Sequence, residues 1–279
     1  MGQAGCANLQ SVSTRYGISA AVLLAACLLS GPARDAAAAD PGAREIQNTE
    51  EYFPDEIGSV WRYTGRSRTD VVERVSEVTF ANEVSAIGTT NIKGETVTIF
   101  RETNQGNKGP TDGFFRRDQA GITYYGSRPT TPFEQQLIPY RVLRFPLVME
   151  GTFRQLEKKG VDMQTDLDGD GHHERADVVA DVRVSAHTPV TVPAGTFSDA
   201  LQMDASMTIV MTLTKSRRMV MSRDRITSWF VRGVGLIKYV EKIEAPPVLE
   251  TRGDVIHVSE ELESYTLRGL GGAPSLPGL

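Results

Sequence analysis

Almost the whole chain after Val60 is written in period two. Residues 60–63, 71–87 and 95–101 alternate apolar with polar side chains, and the alternation returns at 176–186, 201–213, 219–231, 235–243 and 255–267. Clusters of Gly, Pro, Asn and Asp stand between these stretches, as at 104–113 and 128–132, and the short stretch 121–126 is bounded by Gly121 and Gly126. Successive side chains of a strand point to opposite faces, so alternation sustained over many segments calls for a sheet with one buried face. Closely spaced turn residues make its neighbours antiparallel. Helical spacing is scarce, and only 135–142 and 260–262 read as short helices. The expected fold is mainly β: one large antiparallel, curved sheet or open half-barrel with few short helices.

Phe53-Pro54 followed by Gly58 and Trp61 is echoed by Phe145-Pro146 followed by Gly151 and Phe153, about ninety residues later. Each pair sets a strand entry, because proline holds the preceding residue extended. Two related β halves and a recurrence of common strand-entry residues both account for the echo. The expected layout is a leader at 1–39 (or to 26 for a lipoprotein), a linker at 40–50, one β-rich domain at 51–268 and a flexible tail at 269–279.

The sharpest chemical statement is Asp166-Leu167-Asp168-Gly169-Asp170-Gly171, which runs on through His172-His173-Glu174 to Asp177. Carboxylates at positions 1, 3 and 5 of such a loop converge on one hard cation, glycine at 6 allows the sharp turn, and a later carboxylate closes the shell. Calcium suits it, since it accepts six to eight oxygens in forgiving geometry and magnesium does not. Asp166, Asp168, Asp170, the backbone carbonyl of His172, and either Glu174 or Asp177 are the candidate ligands. The flanks read as strand, with Val178, Val179, Val182 and Val184 close behind, so the loop resembles the calcium hairpins of extracellular β-proteins. That resemblance implies structural calcium and not signalling. A merely acidic, solvated turn is the simpler alternative.

The chain begins as an exported protein does. Arg15 is the only charge in the first thirty residues, 18–29 is apolar apart from Ser19, and Ala36 to Ala39 offer small cleavage positions before Asp40. The apolar run is about twelve residues, short of the roughly twenty that span a bilayer. Both cysteines, Cys6 and Cys27, lie in this leader, so a chain starting near Asp40 has no disulfide. Leu24-Ala25-Ala26-Cys27 also matches a bacterial lipobox, in which Cys27 becomes the lipidated first residue. The localisation expected is periplasmic or secreted, or membrane-anchored through Cys27.

Removing residues 1–39 leaves 28 basic against 34 acidic residues, a net −6. No basic stripe of the kind that grips nucleic acid is present. Lys215-Ser216-Arg217-Arg218 with Arg223 and Arg225 is the one basic concentration, and it reads as a solvated hairpin before it reads as a lipid head-group site.

An ordered set of motifs carries a wider resemblance: Tyr52-Phe53-Pro54 with Gly58 and Trp61, Phe145-Pro146-Leu147 with Gly151, Val192-Pro193-Ala194-Gly195-Thr196-Phe197, and Trp229 with Gly233-Val234-Gly235-Leu236-Ile237-Lys238. Together they resemble a group of exported bacterial proteins and lipoproteins of unknown function, over most of residues 52–265. The resemblance implies a curved antiparallel sheet and carries no catalytic residues. Some envelope proteins of similar architecture hold lipid or acyl groups in their concavity.

Five of the eight methionines fall between 203 and 221. Met203, Met207 and Met211 share one strand face with Ala205, Ile209 and Leu213, which fits ordinary core or a soft face for a lipid chain. The nucleophile elbow, the zinc-protease helix and the phosphate-binding glycine loop are all missing from the sequence. Two readings stand: a non-enzymatic envelope protein with a calcium loop and an apolar ligand or envelope-protein partner, and a calcium-stabilised secreted hydrolase with a dispersed carboxylate site. Two carboxylates across a deep cleft favour the second; a smooth apolar concavity favours the first.

Overall fold

The computed structural model describes residues 44–268, apart from 72–73, 104–109, 246 and 249–252. The leader, Cys27 and the tail from 269 lie outside the described residues. A 3-10 turn, Thr49–Tyr52, leads into the strands. The first six are β1 (Val60–Val71), β2 (Arg74–Ile92), β3 (Glu95–Glu102), β4 (Thr111–Asp118), β5 (Gly121–Arg128) and β6 (Tyr140–Arg144). The second six are β7 (Thr152–Asp162), β8 (Arg175–Val192), β9 (Gly195–Thr212), β10 (Met219–Val231), β11 (Gly235–Glu244) and β12 (Val255–Thr266). All belong to one antiparallel sheet in the order β6-β5-β4-β3-β2-β1-β12-β11-β10-β9-β8-β7, curled into a nearly closed barrel. The curved antiparallel sheet expected from the alternation is therefore what forms.

The order describes two meanders, β1 to β6 and β7 to β12, joined where the first and last strands pair from Val60↔Thr266 to Asp70↔Val255. The two Phe-Pro pairs stand just before β1 and β7, the opening strands of the two meanders, and the rings of Phe53 and Phe145 stack at 5.9 Å.

The seam lies between the edge strands β6 and β7. Gln155 on β7 reaches across and donates its Nε2 to the Val142 carbonyl of β6 at 2.6 Å. The segment expected as linker also belongs here. Glu45 bridges to Val148, Ile46 donates to the Leu147 carbonyl at 2.8 Å, and Ile46 is buried. The folded part thus begins by Arg44, because the backbone groups of 44–46 find their partners in 147–149.

Two expected helices are corrected. The helix, α1, is Pro132–Leu137 and not 135–142. Thr131 caps it in a capping box with Glu134, Pro132 sits at its first position, and Pro139 ends any continuation, leaving 140–144 to pair as β6. Residues 260–262 are strand within β12, their phase hidden by an inward carboxylate. Strands β4, β6 and β7 were not evident in the alternation. Register shifts at Gly113/Phe115 in β4 and at Arg154/Leu156 and Lys158/Val161 in β7 break the period there.

The main core is centred on β8 and β9 and reaches across the seam to Tyr124 of β5, Phe133 and Leu137 of α1 and Val142 and Leu143 of β6. Ala176, Val178, Ala180, Val182 and Val184 of β8 and Met203, Ala205, Met207, Ile209 and Met211 of β9 all turn inward and are buried. Their register sets Ala176 opposite Met211 and Ala180 opposite Met207, so a long flexible thioether fills the space each alanine leaves. Each such methionine contributes about 1.5–3 kcal/mol through burial. A smaller core at the other end gathers Trp61, Val192, Ala200, Ile237 and Leu262. The turn at Pro193–Ala194 folds over it, with the Ala194 N–H on the Leu262 carbonyl at 2.9 Å. The outward face carries cross-strand ion pairs such as Arg62–Glu83 and Lys238–Glu261, each of small energetic weight at the surface.

Candidate functional site

The acidic loop joins β7 to β8. Asp166 begins it by accepting N–H groups from Gly169 at 2.6 Å, Asp170 at 3.2 Å and Gly171 at 2.8 Å. These bonds, the Gly171 one foremost, hold its carboxyl below the usual range. Gly169 and Gly171 adopt φ of +73° and +88°, a conformation that a side chain would strain, so the turn depends on both glycines. Asp168 and Glu174 are buried, and ligand atoms of Asp166, Asp168 and Glu174 lie within 4.8 Å of one another. Two oxygens on one calcium ion, each 2.3–2.6 Å from it, stand at most about 5 Å apart, so these three carboxylates fit a single shell.

Glu174 lies beneath the loop, accepting the Leu167 N–H at 2.6 Å and approaching Thr214 Oγ1 at 3.4 Å. Asp168 Oδ2 accepts the Lys215 N–H at 2.9 Å, while Asp168 Oδ1 is buried with no hydrogen-bond donor. A buried carboxylate oxygen without a donor is costly unless something cationic meets it, and that oxygen is the best evidence that the donor set fits a metal.

The other predicted ligands fall elsewhere. Asp170 accepts the His172 N–H at 3.0 Å and so braces its own turn. Asp177 is already on β8, facing outward, where it accepts the Gly160 N–H at 2.9 Å. The structure brings Glu174 and not Asp177 to Asp166 and Asp168. His172 and His173 are exposed, and His173 Nδ1 lies 3.3 Å from Asp162. The basic run 215–218 forms the β9–β10 turn.

The second feature is a cavity of about 180 Å³ at the end of the barrel holding Trp61. Among the described residues seven aromatic side chains line it: Tyr52, Phe53, Trp61, Tyr63, Phe100, Phe115 and Phe230. Trp61 and Phe100 lie 6.3 Å apart, Phe100 meets Phe115 edge-on at 5.7 Å, and Phe53 meets Phe230 at 4.9 Å. Trp61 is aimed by its indole N–H, which donates to the Val234 carbonyl at 2.6 Å. Of the three predicted apolar-face residues only Met203 lines this cavity; Met207 and Met211 are core, packed on the alanines of β8. The cavity's one basic lining residue, Arg117, is ion-paired with Asp55 and donates to the Phe53 carbonyl at 3.0 Å.

Beside the cavity a row of carboxyls crosses the barrel interior: Asp224 on β10, Glu241 on β11, Glu260 on β12 and Glu102 on β3. All four are buried, and Glu260 also lines the cavity. Burial, reinforced by Glu260, raises Glu102 to about 8. Burial raises Glu260 to about 7 against the opposing bond from Asn82, whose Nδ2 lies 3.1 Å from Oε2. Burial and the neighbouring Glu241 push Asp224 well up, and Glu241 rises with it. The phenols of Tyr63 and Tyr239 are raised by burial and by the same carboxylates. The signal for this row was a carboxylate on the apolar phase of an alternating strand, as in Ser222-Asp224-Ile226-Ser228 and Tyr239-Glu241-Ile243.

No protein-family model matches the chain, and no curated protein sequence does. Two solved structures are similar: a lipoprotein candidate from Parabacteroides distasonis (12% identity, TM-score 0.33) and an exported-protein candidate with a YmcC-like fold from Bacteroides fragilis (10% identity, TM-score 0.34). Each match covers 77% of this chain and 98% of the other. At those scores neither carries an argument about function. Among the described residues, no helix is long and apolar enough to cross a membrane.

Proposed function

We propose that this chain is an exported, non-enzymatic protein of the cell envelope that holds an apolar ligand in its aromatic-lined cavity and carries one structural calcium ion at Asp166, Asp168 and Glu174. The cavity carries the proposal. An open hollow whose walls are Trp61, Phe100, Phe115 and Phe230 suits a hydrocarbon body, and a lipid chain is the natural occupant for a protein of that compartment. Export rests on the leader at 1–39, with Cys27 the lipidation point if the lipobox is used. The calcium reading rests on the donor-free Asp168 Oδ1 among three converging carboxylates. The hydrolase reading is the weaker, because Asp55 is neutralised by Arg117 and leaves Glu260 as the cavity's one other carboxylate.

The test is native mass spectrometry of gently purified protein, joined to quenching of Trp61 by a brominated acyl chain. Trp229 is the only other tryptophan and does not line the cavity. Co-purifying lipid and quenching at Trp61, lost in Trp61→Phe, are expected. A folded protein that carries no ligand and shows no quenching overturns the proposal.

A further inference from the structure

We infer that the cavity selects an apolar ligand ending in a cationic amine, received by Glu260 at the acidic wall; this rests on the reading of the cavity as a ligand site. The row Asp224, Glu241, Glu260 and Glu102 is buried and has no compensating base. The charges acting on these four carboxyls come from one another and from no lysine, arginine or histidine. Their donors are few: Asn82 Nδ2 on Glu260, and the Tyr239 hydroxyl on Glu241 at 3.4 Å. Asn82 is 2% exposed and its Oδ1 faces the same interior with no donor, while Asp224 and Glu241 are hydrogen-bonded to each other through a proton that burial keeps on the pair.

A buried carboxyl in an aromatic cavity with no base beside it suits a ligand that brings positive charge, and an ammonium brings three donors on one charge. Trp61, Phe100 and Phe115 line the same cavity as Glu260, and aromatic rings attract a cation, while the apolar remainder of the walls suits a hydrocarbon body. Arg117, which would otherwise receive an anion, is already held by Asp55 and the Phe53 carbonyl. The proton that burial keeps on Glu260 near neutrality is the one an arriving ammonium displaces, leaving a carboxylate–ammonium pair.

The experiment compares three probes of one chain length below their micellar concentrations: dodecylammonium, dodecanol and dodecanoate. Calorimetry and Trp61 quenching are read on the folded, full mature chain. Dodecylammonium is expected to bind about tenfold or more tightly than either other probe. Glu260→Gln keeps the shape and removes the charge, so it is expected to erase that preference and bring dodecylammonium level with dodecanol. Equal or weaker binding of the amine by the wild-type protein overturns this inference and leaves the cavity reading standing. Failure of all three probes to bind the folded protein overturns the cavity reading itself. The wild-type ranking decides the matter even if the variant does not fold.

Discussion

Asp168 accepts the backbone N–H of Lys215 at 2.9 Å, which ties the acidic loop between β7 and β8 to the turn between β9 and β10. One oxygen of that carboxyl is thereby fixed, and the other is buried with no donor. The loop and the neighbouring hairpin are therefore coupled, so an ion bound at the loop stiffens both.

Calcium at a hundred times its dissociation constant is expected to stabilise the protein by about 2.7 kcal/mol, a rise of several degrees in melting temperature. Asp168→Asn and Glu174→Gln should each remove this increment, whereas Asp177→Asn should retain it, because Asp177 serves Gly160 instead. Magnesium should substitute poorly. Melting curves in excess calcium and in chelator decide; identical curves for the wild type would make the loop an acidic turn.

Stability is expected to fall as pH rises from about 5 to 8. Glu102 and Glu260 have folded values raised to about 8 and about 7 from 4.5, so across that window the folded chain holds protons that the unfolded chain has released. The favourable contribution is complete below the unfolded value and is lost as pH climbs through the folded ones. The loss is on the order of a few kcal/mol over the row. Glu102→Gln should flatten the profile in urea titrations. A flat wild-type profile from pH 5 to 8 would contradict the buried, base-free setting of these carboxyls.

Met207→Ala is expected to cost about 2–5 kcal/mol, since it opens a void opposite Ala180. Ligand binding by the folded fraction should be unchanged, because Met207 does not line the cavity. Denaturant titration measures the first and Trp61 quenching the second. A loss of binding without loss of stability would return the methionine face to the role of ligand surface.

Mass spectrometry of the mature N-terminus is expected to find either a start near Asp40 or a diacylglyceryl Cys27. An unprocessed Met1 in the cytoplasm would remove the envelope reading.

The barrel was legible where strands keep a strict period, as in 176–186 and 201–213, because each inward position is apolar and each outward one polar. The cavity was not. The aromatic residues that form it come from β1, β3, β4, β10 and the segment before β1, and only the order in which these strands pair brings them to one place. Spacing along one strand gives its inward phase but not which distant strands face one another across the barrel. Glu260 was hidden differently: a charge on the inner phase made 260–262 look like helix. The loop was legible in its spacing, but which carboxylate closes it depends on where β8 begins, and Arg175 already belongs to that strand.

The way the sheet meets itself has a mechanical consequence. Most neighbouring strands share a continuous ladder, but among the described residues β6 and β7 share no ladder, and this edge is held by the Gln155 side-chain bond and by Gln136 of α1, which exchanges two bonds with the backbone of Asp162. Val142 and Leu143 of β6 are also part of the cavity wall. A guest too bulky for the hollow is thus accommodated most cheaply by sliding this one edge outward, as the overlap of a rolled sheet of paper loosens, with the other eleven junctions left untouched.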